Sequence, residues 1–130
     1  MIKYIKFKKK LLAFLVTKKY KPLKTNFIGS TKHSLQFGYI LKNKNDFIKR
    51  HKHKKIKRII SGTPEILIIK KGKVRVNIFY KKKPITSVLL TKNDLISIID
   101  CEHSLKFFSK TVIQEIKQGP YFKDEKIIYD

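Results

Sequence analysis

The sequence predicts an all-β protein, and three observations carry this prediction. Apolar residues make up 42% of the chain, and Ile, Leu, Val, Phe and Tyr dominate them, a β-branched and aromatic bias that favours strands. Several short stretches alternate apolar and polar residues with period two. Turn residues separate these stretches every eight to twelve residues or so, the spacing of a sandwich or barrel. At 130 residues the chain suits one domain with a single core.

Residues 1–25 are predicted to be a short N-terminal extension, ambiguous between strand and helix from Ile2 to Val16. A basic start and the apolar run Leu11–Val16 have the outline of a signal peptide, but that run is short and no small-residue cleavage site follows it. No stretch approaches the length of a transmembrane helix. The sequence therefore predicts a cytoplasmic protein without a membrane partner, and an amphipathic surface anchor is the alternative interpretation of the extension.

The predicted barrel domain spans residues 26–130. Within residues 26–41, Leu35, Phe37, Tyr39 and Leu41 alternate with other residues in the manner of a strand. After a turn, further strands are predicted at residues 47–53, 65–70, 74–79, 85–90, 95–99, 105–108 and 111–117. Roughly eight or nine short strands in this arrangement are typical of a jelly-roll barrel.

The pair His51 and His53 is the strongest functional signal. Side chains two residues apart share one face of a strand, so both imidazoles would point one way, while Arg50, Lys52 and Lys54 would point the other way. Two imidazoles on one face suit a general base or a pair of metal ligands. The alternative is a solvated basic run in which the two histidines only add to the charge.

The chain also contains a longer pattern that includes this pair. It comprises His51-Lys-His53, Glu65 with Gly72 seven positions later, Asp94, His103, and Gln118-Gly119-Pro120-Tyr121. These residues and their order resemble the small single-domain cupins of bacteria. The resemblance extends over residues 35–122, which is most of the chain.

The resemblance implies a cupin-type jelly-roll β-barrel, often dimeric, with a site inside it. His51, His53, Glu65 and His103 are the expected ligands of a divalent transition metal (Fe, Mn, Ni, Zn or Co), and mixed nitrogen and oxygen shells suit such metals. The histidine pair is also the expected catalytic base of an isomerase or epimerase that acts on nucleotide-linked sugars for surface polysaccharide. A metal-dependent dioxygenase is a variant of the same class. Glu65 could instead pair with a lysine, and His103 could be an ordinary loop histidine.

Two further residues are candidates for ligand binding. Tyr39 would line the barrel mouth, although core packing explains it equally well. Gln114 would orient a substrate, although hydrogen bonding within the sheet is the more common role of such a residue. The single cysteine, Cys101, excludes an intramolecular disulfide and is interpreted as a small buried residue. The chain has no phosphate-cradling Gly-rich loop and no nucleophile elbow, so the sequence offers no support for P-loop or serine-hydrolase chemistry.

The formal net charge of +23 has two interpretations. It favours a polyanionic partner, but nearly all of it is Lys, and Arg occurs only at 50, 58 and 75, as in a chain encoded by an AT-rich genome. A non-enzymatic ligand sensor or a basic nucleic-acid-binding module is therefore the second function class. Convergence of His51, His53 and His103 on one cavity would favour the small-molecule class, whereas a continuous outer stripe of lysines would favour nucleic acid.

Overall fold

The computed structural model describes residues 1–123 and 125–129, and within these residues the chain forms ten strands and no helix. The strands are β1 (Ile2–Phe7), β2 (Lys10–Val16), β3 (Asn26–Ile28), β4 (Phe37–Tyr39), β5 (Glu65–Lys71), β6 (Lys73–Tyr80), β7 (Lys83–Thr91), β8 (Leu95–Ile98), β9 (Glu102–Phe107) and β10 (Val112–Lys117). The all-β prediction is confirmed. Accordingly, the described part has no helix long and apolar enough to cross a membrane.

The strands form three antiparallel sheets, and none of the three closes into a barrel over the described residues. The largest has the order β1-β2-β8-β5-β10, a second has the order β7-β6-β9, and β3 pairs with β4 alone. The predicted extension 1–25 supplies β1 and β2 to the largest sheet, in which β2 pairs with β8. Because β2 is apolar on both faces, it is buried along nearly its whole length.

The main core lies between the largest sheet and the three-stranded sheet. In β6, Val74, Val76 and Ile78 are fully buried and alternate with exposed or partly exposed residues, as expected for a strand with one face on a core. A second apolar cluster covers the opposite face of the largest sheet, where the β3–β4 pair packs on Phe14 and Ile66. The molecule is thus a sandwich with an additional two-stranded cover.

A buried carboxylate closes the turn between β7 and β8. Asp94 is 7% exposed and accepts hydrogen bonds from the backbone N–H groups of Lys18 (2.9 Å) and Thr91 (2.8 Å). Asn93 beside it has a φ of +71°, a left-handed conformation that Asn tolerates better than most residues. Asp94 thus closes this turn and also fixes the chain just after β2.

The strand predicted at residues 47–53 is wrong. Residues 40–63 are exposed throughout and belong to no strand. Period two would have placed Lys49 and Lys55 on the same face as the imidazoles, so burying either face of a strand here would desolvate several cations. The strand predicted within residues 26–41 is replaced by β3 and β4, which pair with each other.

Candidate functional site

An ion pair connects the two main sheets at the end of the sandwich where β5 begins. Glu65 is the first residue of β5, and His103 is the second residue of β9. His103 Nε2 lies 3.6 Å from Glu65 Oε2, and the two side chains are 25% and 17% exposed. The sequence predicted both residues as site residues, and the fold brings them together although they belong to different sheets.

The surroundings of His103 favour the protonated ring. Nδ1 lies 3.3 Å from the carbonyl oxygen of Cys101, and Nε2 faces the Glu65 carboxylate. Both neighbouring oxygens can only accept a hydrogen bond, so the ring satisfies both when each of its nitrogens carries a hydrogen. Interaction with Glu65 accordingly raises the pKa of His103 above its ordinary value, and burial opposes this rise.

The carboxylate of the pair is shifted in the complementary direction. Interaction with His103 is the largest cause that lowers the pKa of Glu65, while burial raises it. The charges of Lys117 and Lys126 lower it further. Both shifts favour the charged forms, an imidazolium beside a carboxylate.

A groove of about 660 Å³ lies along His103. Its walls come from the turn and strands around β6 and β9 and from the C-terminal tail: Phe79, Lys82, Glu102, His103, Ser104, Ile127, Ile128 and Tyr129. The backbone N–H of Lys82 donates to Glu102 Oε1 at 2.7 Å, which fixes the turn at this wall. The groove thus combines cationic donors and one carboxylate with aromatic and aliphatic walls.

His51 and His53 lie elsewhere, on the exposed loop. Their ring centroids are 5.4 Å apart. His51 Nδ1 lies 2.7 Å from the carbonyl oxygen of Lys49. Among residues 1–123 and 125–129 no three His, Cys, Asp or Glu side chains gather as a metal site would require, so the structure does not assemble the four expected ligands.

Tyr39 and Gln114 do not line the groove. Tyr39 lies on β4, and its ring centroid is 5.1 Å from that of Tyr20 and 5.2 Å from that of Phe37. Burial in this aromatic cluster raises the pKa of Tyr39. Gln114 is an exposed residue of β10, at the edge of the largest sheet. In the described structure, Tyr39 packs against other aromatic rings and Gln114 faces solvent.

Cys101 lies directly before β9 and is partly buried. Burial raises the pKa of its thiol to about 12, so the sulfur stays protonated at neutral pH and is a poor nucleophile. Its Sγ lies 3.8 Å from the carbonyl oxygen of Leu12 and packs against the main core. The position agrees with the interpretation of a small packing residue.

The sequence did not indicate the other groove residues. Lys82 lies in a run of three lysines at a hairpin tip, and Tyr129 lies in a tail without apolar alternation, so neither carried a local signal. Comparison with known proteins found no matching family model, no similar curated protein and no similar solved structure. The functional argument therefore rests on the geometry of this chain.

Proposed function

We propose that the protein is a cupin-type binding protein that holds a small anionic or sugar-type ligand in the groove beside Glu65 and His103. The ion pair between these residues carries the proposal, since it joins two sheets and keeps a charged imidazole at the groove. Glu65 and His103 are also two of the four site residues that the cupin resemblance implies. The antiparallel sandwich is compatible with such a fold.

The lining of the groove supports a phosphorylated sugar as ligand. The His103 imidazolium and the Lys82 ammonium group offer charged donors for phosphate oxygens, and charge-assisted hydrogen bonds are the stronger ones. Phe79 and Tyr129 offer ring faces on which a sugar ring packs, and Glu102 can accept from a hydroxyl group. The groove volume of about 660 Å³ lies within the range of small-molecule sites.

The pair also suits proton-transfer chemistry of the isomerase or epimerase type. An imidazolium held by a carboxylate can donate a hydrogen bond to a carbonyl oxygen and stabilise the negative charge that develops there. In this proposal, Glu65 keeps His103 charged and oriented, and His103 contacts the ligand. His51 and His53 do not reach this arrangement, so the catalytic role expected for them passes to His103.

The expected divalent metal does not fit the donors that are gathered at this site. A catalytic metal site commonly has three protein ligands, whereas Glu65 and His103 supply one oxygen and one nitrogen, and no third His, Cys, Asp or Glu joins them among the described residues. The site is therefore proposed to work through its own side chains. The metal, and with it the dioxygenase variant, stays a prediction.

Elemental analysis of protein purified without chelators tests that prediction. Near-stoichiometric metal that is lost in the variant His51→Ala/His53→Ala would show that the exposed loop supplies ligands, and it would contradict the metal-free site. Protein without bound metal would remove the dioxygenase alternative.

Calorimetric titration with uridine diphosphate glucose and with glucose 1-phosphate tests the groove. We expect His103→Gln to weaken binding by about tenfold, because a hydrogen bond to a charged group is lost. His51→Gln is the matched control, since it removes an imidazole from the exposed loop, and it should bind as the wild type does. Equal binding by His103→Gln and wild type, or no binding by the wild type, would contradict the proposed site.

A further inference from the structure

A second feature of the molecule is the exposed segment of residues 40–63, here named the basic loop. It is anchored at Leu41, which exchanges hydrogen bonds with the Thr25 hydroxyl (2.9 and 3.1 Å), and it ends just before Pro64, whose carbonyl oxygen accepts from the N–H of Gln118 (3.1 Å). Between these points, residues 47–63 form no backbone hydrogen bond with the sandwich among the described residues. Structureless loops longer than about 15 residues are uncommon in compact domains and are usually functional or disordered.

The loop carries a dense positive charge. Of its 24 residues, nine are Lys or Arg and one is Asp, a net charge of +8. That aspartate, Asp46, accepts a hydrogen bond from the N–H of Asn43 inside the loop. Over residues 1–123 and 125–129, no ion pair involves any of the nine cations. The loop therefore presents a positive charge that its described surroundings do not neutralise.

The placement of the arginines distinguishes this loop from the rest of the chain. Codon bias towards Lys explains a high overall charge but not a local choice of Arg. Two of the three arginines, Arg50 and Arg58, lie in the loop, whereas the third, Arg75, stacks on the ring of Phe108 at 4.9 Å. The planar guanidinium group binds phosphate through two parallel hydrogen bonds, which lysine cannot do.

We infer that the basic loop binds single-stranded nucleic acid. Seven cations and two imidazoles occur between Lys49 and Arg58, on an exposed ribbon that can follow a phosphate backbone. Phe47 stands beside this run with 79% of its surface exposed, and exposed aromatic rings provide stacking surfaces for bases. His51 and His53 lie in the basic loop and do not gather with His103 among the described residues, so the condition that would favour a histidine-lined cavity is not met there.

An anionic membrane is the competing partner for a basic segment. The run from Lys49 to Arg58 contains one apolar residue, Ile56, and interfacial segments bind by burying an apolar face together with their charges. Phe47 and Ile48 precede the run and Ile59 and Ile60 follow it, so the apolar residues do not form one face with the cations. The observations favour nucleic acid, and vesicles enter the experiment as the contrary arm.

Fluorescence anisotropy with a labelled 20-nucleotide RNA strand, its DNA equivalent and an RNA duplex tests the inference on the full chain. If the seven cations each contact a phosphate, a plot of log affinity against log salt has a slope of about −5 for single strands. Binding is then expected to weaken by about a thousandfold between roughly 50 and 200 mM KCl. Phe47→Ala should weaken binding to single strands by about tenfold and leave duplex binding unchanged.

Two variants of equal charge separate the loop from the overall charge. The loop variant carries Arg50→Gln, Lys52→Gln, Lys54→Gln and Lys55→Gln, and the control variant carries Lys3→Gln, Lys71→Gln, Lys73→Gln and Lys83→Gln on exposed strand positions. Both remove four charges and reduce the net charge from +23 to +19. The loop variant should bind at least tenfold more weakly with a slope of about −2, while the control keeps the wild-type slope.

Three results would overturn the inference. The first is equal weakening in the two variants, which would assign binding to diffuse charge. The second is stronger binding to vesicles of phosphatidylcholine and phosphatidylserine than to RNA. The third is absence of RNA binding by the wild type at low salt. Circular dichroism of both variants checks folding, and His103→Gln should bind RNA normally, so failure of the groove proposal and failure of this inference are distinguishable.

Discussion

The ion pair between Glu65 and His103 makes a stability prediction that depends on pH. A double-mutant cycle compares wild type with Glu65→Gln, His103→Gln and the double variant, and isolates the coupling between the two side chains. An exposed ion pair contributes about 0–1 kcal/mol, and a hydrogen bond to a charged group contributes about 1.5–3 kcal/mol. At 17% and 25% exposure and a separation of 3.6 Å the pair lies between these cases. We expect a coupling of about 1 kcal/mol.

The direction of each pKa shift defines the pH range in which this coupling is present. The pKa of Glu65 is lowered from 4.5, so its contribution is complete above that value and is lost as the pH falls through the lower pKa of the folded protein. The pKa of His103 is raised from 6.5, so its contribution is complete below that value and is lost as the pH rises through the higher folded pKa. The coupling should therefore be largest between pH 4.5 and 6.5.

Urea denaturation of the four proteins at about pH 5.5 and at about pH 9 measures the coupling. The pair formed by Lys10 and Asp100 is the matched control. It is exposed, with side-chain exposures of 44% and 66%, so its coupling should be small at both pH values. A coupling between Glu65 and His103 that is absent at the lower pH, or equal at both, would refute the reasoning about the protonated ring.

Two further predictions concern the fold. Ile78→Ala, at a fully buried position, should lower the free energy of unfolding by about 3 kcal/mol. Ile59→Ala is the control, at a position 94% exposed, and should change that free energy by less than about 0.5 kcal/mol. Equal values for the two variants in urea denaturation would contradict the described core. Gly72→Ala should cost about 2 kcal/mol or more, because φ is +94° and a Cβ atom would lie 2.5 Å from the carbonyl oxygen of Lys110. Gly62 also has a positive φ, of +85°, but has open space around it, so thermal melting should show a smaller loss for Gly62→Ala.

Strands with one buried face were predictable from the sequence. The predicted strands at residues 65–70, 74–79 and 85–90 correspond to β5, β6 and β7. Alternation of apolar and polar residues identifies β6, whereas β5 is apolar on both faces and is marked by the Gly-Thr-Pro and Lys-Gly turns that flank it. Gly72, between β5 and β6, and Asn93, between β7 and β8, both adopt positive φ, as residues of tight turns often do. The segment from Leu11 to Val16 is apolar on both faces and has no such period, so its pairing with β1 and β8 identifies it as a strand.

Of the four expected site residues, Glu65 and His103 lie on strands, and their positions could be predicted from the sequence. Glu65 follows a Gly-Thr-Pro turn and begins a strand, and His103 lies on the next sheet, so regular strand geometry places both. The rule that puts His51 and His53 on one side applies to a strand, and this segment forms none. That rule does not say whether the side faces a core, because this depends on which strand pairs with the segment.

The acidic residues explain why the two proposed activities occupy different parts of the molecule. The chain has nine of them, and those with described partners mostly stabilise the sandwich or the tail beside it. Asp94 closes a turn. The ion pairs are Asp100 with Lys10, Glu65 with His103, and Glu125 with Lys117. The basic loop contains only Asp46, which is engaged by its own loop backbone. An anion that approaches the loop therefore meets little opposing charge from the loop itself, whereas an anion in the groove also meets Glu102. The same balance of charge predicts that the groove selects ligands with hydroxyl groups beside their phosphates, and that the loop selects polyanions.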